Sequence, residues 1–118
     1  MEIPPKPKRP PQGQFDEIAD FEWNEIESSI KTKHYRVPGR LSAQMRARAY
    51  KEEDVDCLID SGYLHEITSH NAKKGYWKVR WFGYDSKRHA RFCVFAYFET
   101  KGRTLQWELV AVSPVLER

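Results

Sequence analysis

The sequence predicts an α+β domain in which two or three N-terminal helices pack on a four-stranded antiparallel meander sheet. Three observations carry that expectation. Apolar residues recur at three-to-four spacing before Gly62. After it the chain turns to runs rich in aromatic and β-branched residues. Four such runs follow one another with only short turn-like stretches between them. A chain of 118 residues leaves room for one domain of ordinary size, assigned to residues 15–118.

Ahead of that domain, residues 4–11 hold five of the seven prolines together with Lys6, Lys8 and Arg9. Proline donates no backbone hydrogen bond and fixes φ, so residues 1–14 read as a basic, flexible tail or linker. Phe15, Ile18, Phe21, Ile26 and Ile30, with acids between them, predict a helix over 15–31. Pro38-Gly39 breaks the chain, and Arg40 to Tyr50 then reads as a second helix with a basic face and with Leu41, Met45 and Ala49 turned inward. Glu52 to Gly62 predicts a third, with Val55, Leu58 and Ile59 facing the core and Gly62 taking a left-handed stop. Strands are expected over 63–68, 76–82, 91–98 and 104–112. In the second of them Trp77, Val79 and Trp81 share one face, and Tyr76, Lys78, Arg80 and Phe82 share the other.

The formal net charge of +3 conceals a sorted pattern. Phe15 to Ile30 holds six acids and no base, and Lys31 to Lys51 holds seven bases and no acid. Glu52 to Asp60 holds five acids, and His70 to Arg91 holds seven bases against Asp85 alone. If the two basic segments share one side of the fold, they create a positive potential that collects a polyanion. Cys57 and Cys93 sit in apolar stretches and read as free, buried thiols, since two cysteines make neither a disulfide framework nor a zinc site. The scattered His34, His65, His70 and His89 lack metal spacing, and no phosphate loop, nucleophile elbow or dinucleotide fingerprint occurs, so neither metal nor cofactor is expected. No apolar run is long enough to span a membrane, and the N-terminus lacks the apolar core of a secretory signal, which predicts a soluble, cytoplasmic protein.

The remaining chemistry lies in arginine, lysine and aromatic groups. Guanidinium groups fork onto phosphate oxygens, lysine supplies a point charge, a histidine or tyrosine can move a proton at a 2′-hydroxyl or leaving oxygen, and aromatic rings such as Tyr76, Phe82 or Tyr84 can stack on an unpaired base. On that basis Arg48 and Arg80 are the candidate phosphate clamps and Lys78 and His89 the candidate proton-transfer groups. Arg40, Arg46, Tyr84, Lys87, Arg88 and Arg91 are candidate RNA contacts.

The succession of a leading helix, Tyr35-Arg-Val-Pro38, Arg40-Leu-Ser-Ala-Gln-Met-Arg-Ala-Arg48, Glu52-Glu-Asp-Val55, a helix ending Asp60-Ser-Gly62 and four strands resembles the RelE/BrnT-like group of small ribonuclease toxins over residues 20–113. The resemblance implies metal-independent RNA cleavage through the 2′-hydroxyl, restrained by a cognate antitoxin or immunity protein on the basic site. Two other readings fit the same residues: a nucleic-acid-binding module without catalysis, and a protein-interaction domain of inhibitor or immunity type.

Overall fold

The computed structural model describes residues 2–6, 20–48, 50–71, 76–98 and 106–115. Three helices precede the main strands: α1 (Asp20–Lys31), α2 (Gly39–Ala47) and α3 (Glu52–Ser61). Five strands form one sheet: β1 (Tyr35–Arg36), β2 (Tyr63–Asn71), β3 (Tyr76–Tyr84), β4 (Ala90–Phe98) and β5 (Gln106–Pro114), in the order β1-β5-β4-β3-β2. The last four make the expected antiparallel meander. The sheet is nonetheless mixed, because Tyr35 and Arg36 pair in parallel with Trp107 and Glu108. Two residues between a helix and a proline carry no alternation, so β1 left no periodic signal. The N-terminal part of the helix expected from residue 15 lies outside the described residues. The second helix ends at Ala47, earlier than expected, and Tyr50 N closes the exit by donating to Met45 O at 2.8 Å.

The helices cover one sheet face. Val55, Leu58 and Ile59 of α3 are fully buried with Leu64, Val79, Trp81, Cys93, Phe95 and Leu109, and α1 adds Trp23, Ile26 and Ile30. Two of the buried indoles are also anchored: Trp81 Nε1 donates to Leu58 O (3.0 Å) and Trp107 Nε1 to Ser29 Oγ (2.8 Å). Tyr35 packs edge-on to Phe95 and donates its hydroxyl to Asp56 Oδ1 at 2.9 Å, which ties β1 to α3; burial first, and Asp56 second, raise its pKa. Both cysteines are free. Cys93 is buried, and burial pushes its thiol up, whereas Cys57 is only half-buried.

Gly62 corrects an expectation. Its backbone is extended (φ −124°, ψ −155°), not left-handed. What requires glycine is space, since a Cβ there would lie 1.7 Å from Phe82 O. The left-handed position that does end a helix is Lys33 (φ 62°), whose N–H returns to Ile30 O and whose ammonium meets Asp60 at 2.7 Å.

The N-terminus of α3 is pinned to the β3–β4 turn by Asp54, which is buried. It accepts from Lys51 N (3.0 Å), from Ser86 N (3.3 Å) and from Ser86 Oγ. Burial alone would raise the Asp54 pKa, but these hydrogen bonds outweigh it and hold the carboxyl below its ordinary value. A depressed folded-state pKa contributes stability above the unfolded pKa, and that contribution is lost as pH falls through the folded one. Asp54→Asn should therefore cost about 1–2 kcal/mol near neutral pH. It should also flatten the loss of stability below the ordinary carboxylate range, as measured by urea midpoints at stepped pH.

Candidate nucleic-acid interface

The β3–β4 hairpin is the most tightly built part of the surface. Asp85, although an acid, is buried. Its Oδ1 accepts from the N–H groups of Lys87 and His89, both at 2.9 Å, and its Oδ2 accepts from Arg91 Nε at 3.3 Å. The backbone closes with Arg88 N on Asp85 O (2.9 Å) and Asp85 N on His89 O (3.0 Å). This is a three-residue hairpin loop, in which the last loop position is left-handed and ordinarily glycine. Here Arg88 holds it at φ 64°. An arginine there carries a backbone cost of about 1–2 kcal/mol that glycine would not. Lys87, Arg88 and His89 are all exposed at the tip, and His89 Nδ1 lies 3.7 Å from the Asp85 carboxylate.

A second surface feature adjoins the hairpin. Leu41, Gln44, Met45 and Arg48 fall at i, i+3, i+4 and i+7 along one side of α2 and its exit. With the β5 edge, Tyr50 and Arg91 they enclose a cleft of about 220 Å³. The Arg91 guanidinium lies 5.7 Å from the centre of the Tyr50 ring. Arg48 belongs to the first basic block and Arg91 to the second, so the two blocks meet at this cleft although about forty positions separate them in the chain.

The structure does not bring all candidate residues together. Arg40 and Arg46 are exposed on α2, and Arg46 is absent from the cleft wall because its position is rotated away from Gln44 and Arg48. Lys78 and Arg80 occupy the sheet face that the helices leave open, across the sheet from Arg48. Arg80 is committed to Glu66 at 2.7 Å and lies over Phe92 at 5.0 Å. Strand alternation puts Lys78 and Arg80 opposite Val79 and Trp81, which are buried under the helices. Phe82, considered as a stacking platform, is buried instead, against His65 (4.8 Å between ring centres) and Phe92 (5.6 Å). Tyr84 is half-buried and lines an open depression together with Glu2, Asp60, Asp85 and Arg88, and its Oη accepts from Ile3 N at 3.4 Å.

Ion pairing sorts the cations further. Lys31, Lys33, Arg36, Arg80 and Arg91 each have a carboxylate partner. Among the described residues Arg40, Arg46, Arg48, Lys51, Lys87 and Arg88 form no ion pair; they lie on α2, its exit, the N-cap of α3 or the hairpin, and Lys87 is near enough to Asp54 to join the hydrogen bonds that lower its pKa against burial. Tyr50 and Gln44 of the cleft, and Asp85 beneath the hairpin, carried no functional expectation from the sequence. The signal for Asp85 was the turn Asp-Ser-Lys-Arg-His, since aspartate bonds to backbone N–H groups a few residues on.

Among the described residues no group of His, Cys, Asp and Glu could hold a metal ion, and no helix is long and apolar enough to cross a membrane. Comparison of the chain with models of protein families, with curated proteins and with solved structures finds no match.

Proposed function

We propose that this protein binds single-stranded RNA on the surface formed by the exit of α2 and the β3–β4 hairpin. The observation that supports it most is the meeting of the two basic blocks, with Arg48 and Arg91 lining one cleft and Lys87, Arg88 and His89 exposed on the hairpin that leads into Arg91. Such cations attract phosphates; Arg48 and Arg88 form no ion pair, while Lys87 lies in the field of Asp54. The left-handed Arg88 points the same way. A residue held in a costly conformation at an exposed tip, with no ion pair to offset the cost, marks a position where the side chain meets a ligand.

This predicts a separation of stability from binding. Arg88→Gly relieves the backbone and should leave the melting temperature unchanged or higher. It should weaken binding of a labelled single-stranded oligoribonucleotide about fivefold near 0.1 M salt, as one lost phosphate contact does. Fluorescence anisotropy and a thermal melt on the same preparation check both halves.

A cleaving form of this reading rests on His89. The Asp85 carboxylate lies on its Nδ1 side and leaves the exposed Nε2 to take the 2′-hydroxyl proton as that oxygen attacks phosphorus and to return a proton to the departing 5′-oxygen. Arg48 then clamps phosphate from across the cleft, and Lys78 and Arg80, on the far face, take no part. RNA incubated with the protein in excess EDTA should acquire 2′,3′-cyclic phosphate ends, and His89→Ala should abolish them while retaining affinity. Intact RNA that is still bound would leave binding alone as the function.

A further inference from the structure

The cleft between α2 and β5 has features that phosphate tracking along the hairpin does not use. Among the described residues its charged lining is Arg48 and Arg91, with Asp85 behind the wall and paired to Arg91. Burial raises the Tyr50 pKa, and Asp85 and Asp54 are near enough to raise it further. Arg91 spends Nε on Asp85, which leaves its two terminal nitrogens for an anion. These groups gather at one end, because Arg91 lies over Tyr50 and Tyr50 is two residues beyond Arg48. Leu41 marks the other end, about 10 Å earlier along the helix. Leu41, Met45, Val110 and Val112 supply the cleft's apolar lining.

The strand wall adds directional groups. β1 pairs β5 only at Trp107 and Glu108, so beyond them the β5 edge is open among the described residues. Val115 N donates to Ala90 O, and the β4–β5 register alternates from there: Ser113 and Ala111 turn their backbone groups toward β4, and Val112 turns its N–H and C=O outward. The cleft wall therefore offers a backbone donor and acceptor side by side. Two guanidinium groups, apolar walls and a backbone donor–acceptor pair at Val112 together match a nucleotide: phosphate, base plane and base edge. A volume of about 220 Å³ is smaller than sites that enclose a whole drug-sized ligand, so the occupant is a unit of a longer strand that extends out of the cleft.

We infer that this cleft seats one unpaired nucleotide of the bound RNA, its phosphate on Arg48 and Arg91, its base between α2 and Val112, and its base edge on the Val112 backbone. The inference rests on the RNA-binding reading but adds a site that simple electrostatic attraction does not require. Every base presents a donor beside an acceptor on its pairing edge, so the seat should tolerate sequence.

The test is an amide NMR titration of the full chain with AMP, with ribose 5-phosphate and with inorganic phosphate, beside anisotropy with a single-stranded hexaribonucleotide. AMP should move the Arg48, Tyr50 and Val112 signals and bind at least about tenfold more tightly than ribose 5-phosphate. Arg48→Ala should weaken AMP by about tenfold or more, whereas Arg88→Gly should weaken the hexanucleotide and leave AMP unchanged. Equal binding of AMP, ribose 5-phosphate and phosphate would remove the base from the cleft and overturn the inference. So would AMP shifts confined to other residues, or a carboxylate-bearing peptide that fills the cleft more tightly than AMP. Hexanucleotide binding without any AMP response at the cleft overturns the seat and leaves the RNA reading standing, and loss of both overturns both.

Discussion

Gly83→Ala should unfold or nearly unfold the protein. Gly83 faces α3, and a Cβ added there would stand 2.1 Å from Leu58 O and 3.0 Å from Leu58 Cα. Those atoms are backbone, so the clash cannot be relieved by turning a side chain. Either β3 or α3 must retreat, and the retreat breaks the Trp81 Nε1 bond to Leu58 O and opens the core around Val55, Leu58 and Ile59. Overpacking in a core costs about 1–3 kcal/mol where side chains can adjust; with backbone on both sides the cost should be at or above about 3 kcal/mol. In a domain of this size that lowers the melting temperature by roughly 10 °C or more. Gly39→Ala is the control. A Cβ there meets nothing within 4 Å, and the position opens α2, so the fold should be unaffected or slightly more stable.

Asp85→Ala should cost about 3 kcal/mol and release the hairpin. The substitution leaves the N–H groups of Lys87 and His89 and the Arg91 guanidinium without their buried acceptor, and breaking such a pair costs more than the pair itself contributes. Asp85→Asn separates the two roles of this carboxylate. Its amide oxygen can still accept from both backbone N–H groups, so the loop survives at a cost of about 1 kcal/mol while the Arg91 pair is lost. Amide exchange at Lys87 and His89, measured beside chemical denaturation, should show protection kept in the asparagine variant and lost in the alanine variant. Because Lys87 and Arg88 depend on the loop for their placement, the alanine variant should also weaken RNA binding.

The sequence made the helices, the meander and the core face of β3 legible, because each depends on local periodicity: 3.6 residues along α3, two along Trp77-Val79-Trp81. It did not disclose β1, a two-residue strand whose only reason for existing is the edge of β5. Nor could it show why Gly62 must be glycine, since the reason is the carbonyl of Phe82 twenty residues away. At the candidate interface the composition was informative and the grouping was not. Charge blocks in sequence told where cations are dense. Which of them acids cancel was settled by pairings such as Arg80 with Glu66 and Arg91 with Asp85, and these depend on strand register and turn geometry. Arg88 was visible as one basic residue among several, and only its left-handed backbone sets it apart.

The salt dependence of RNA affinity tests the central claim most directly. If Arg48, Lys87 and Arg88 together meet about three phosphates of a single strand, a plot of log K against log salt should have a slope near −2.1. Affinity should then fall roughly twentyfold between 50 and 200 mM. Arg88→Gly should reduce the slope to about −1.4. A flat plot, with the protein folded throughout, would contradict the assignment of this surface to a polyanion.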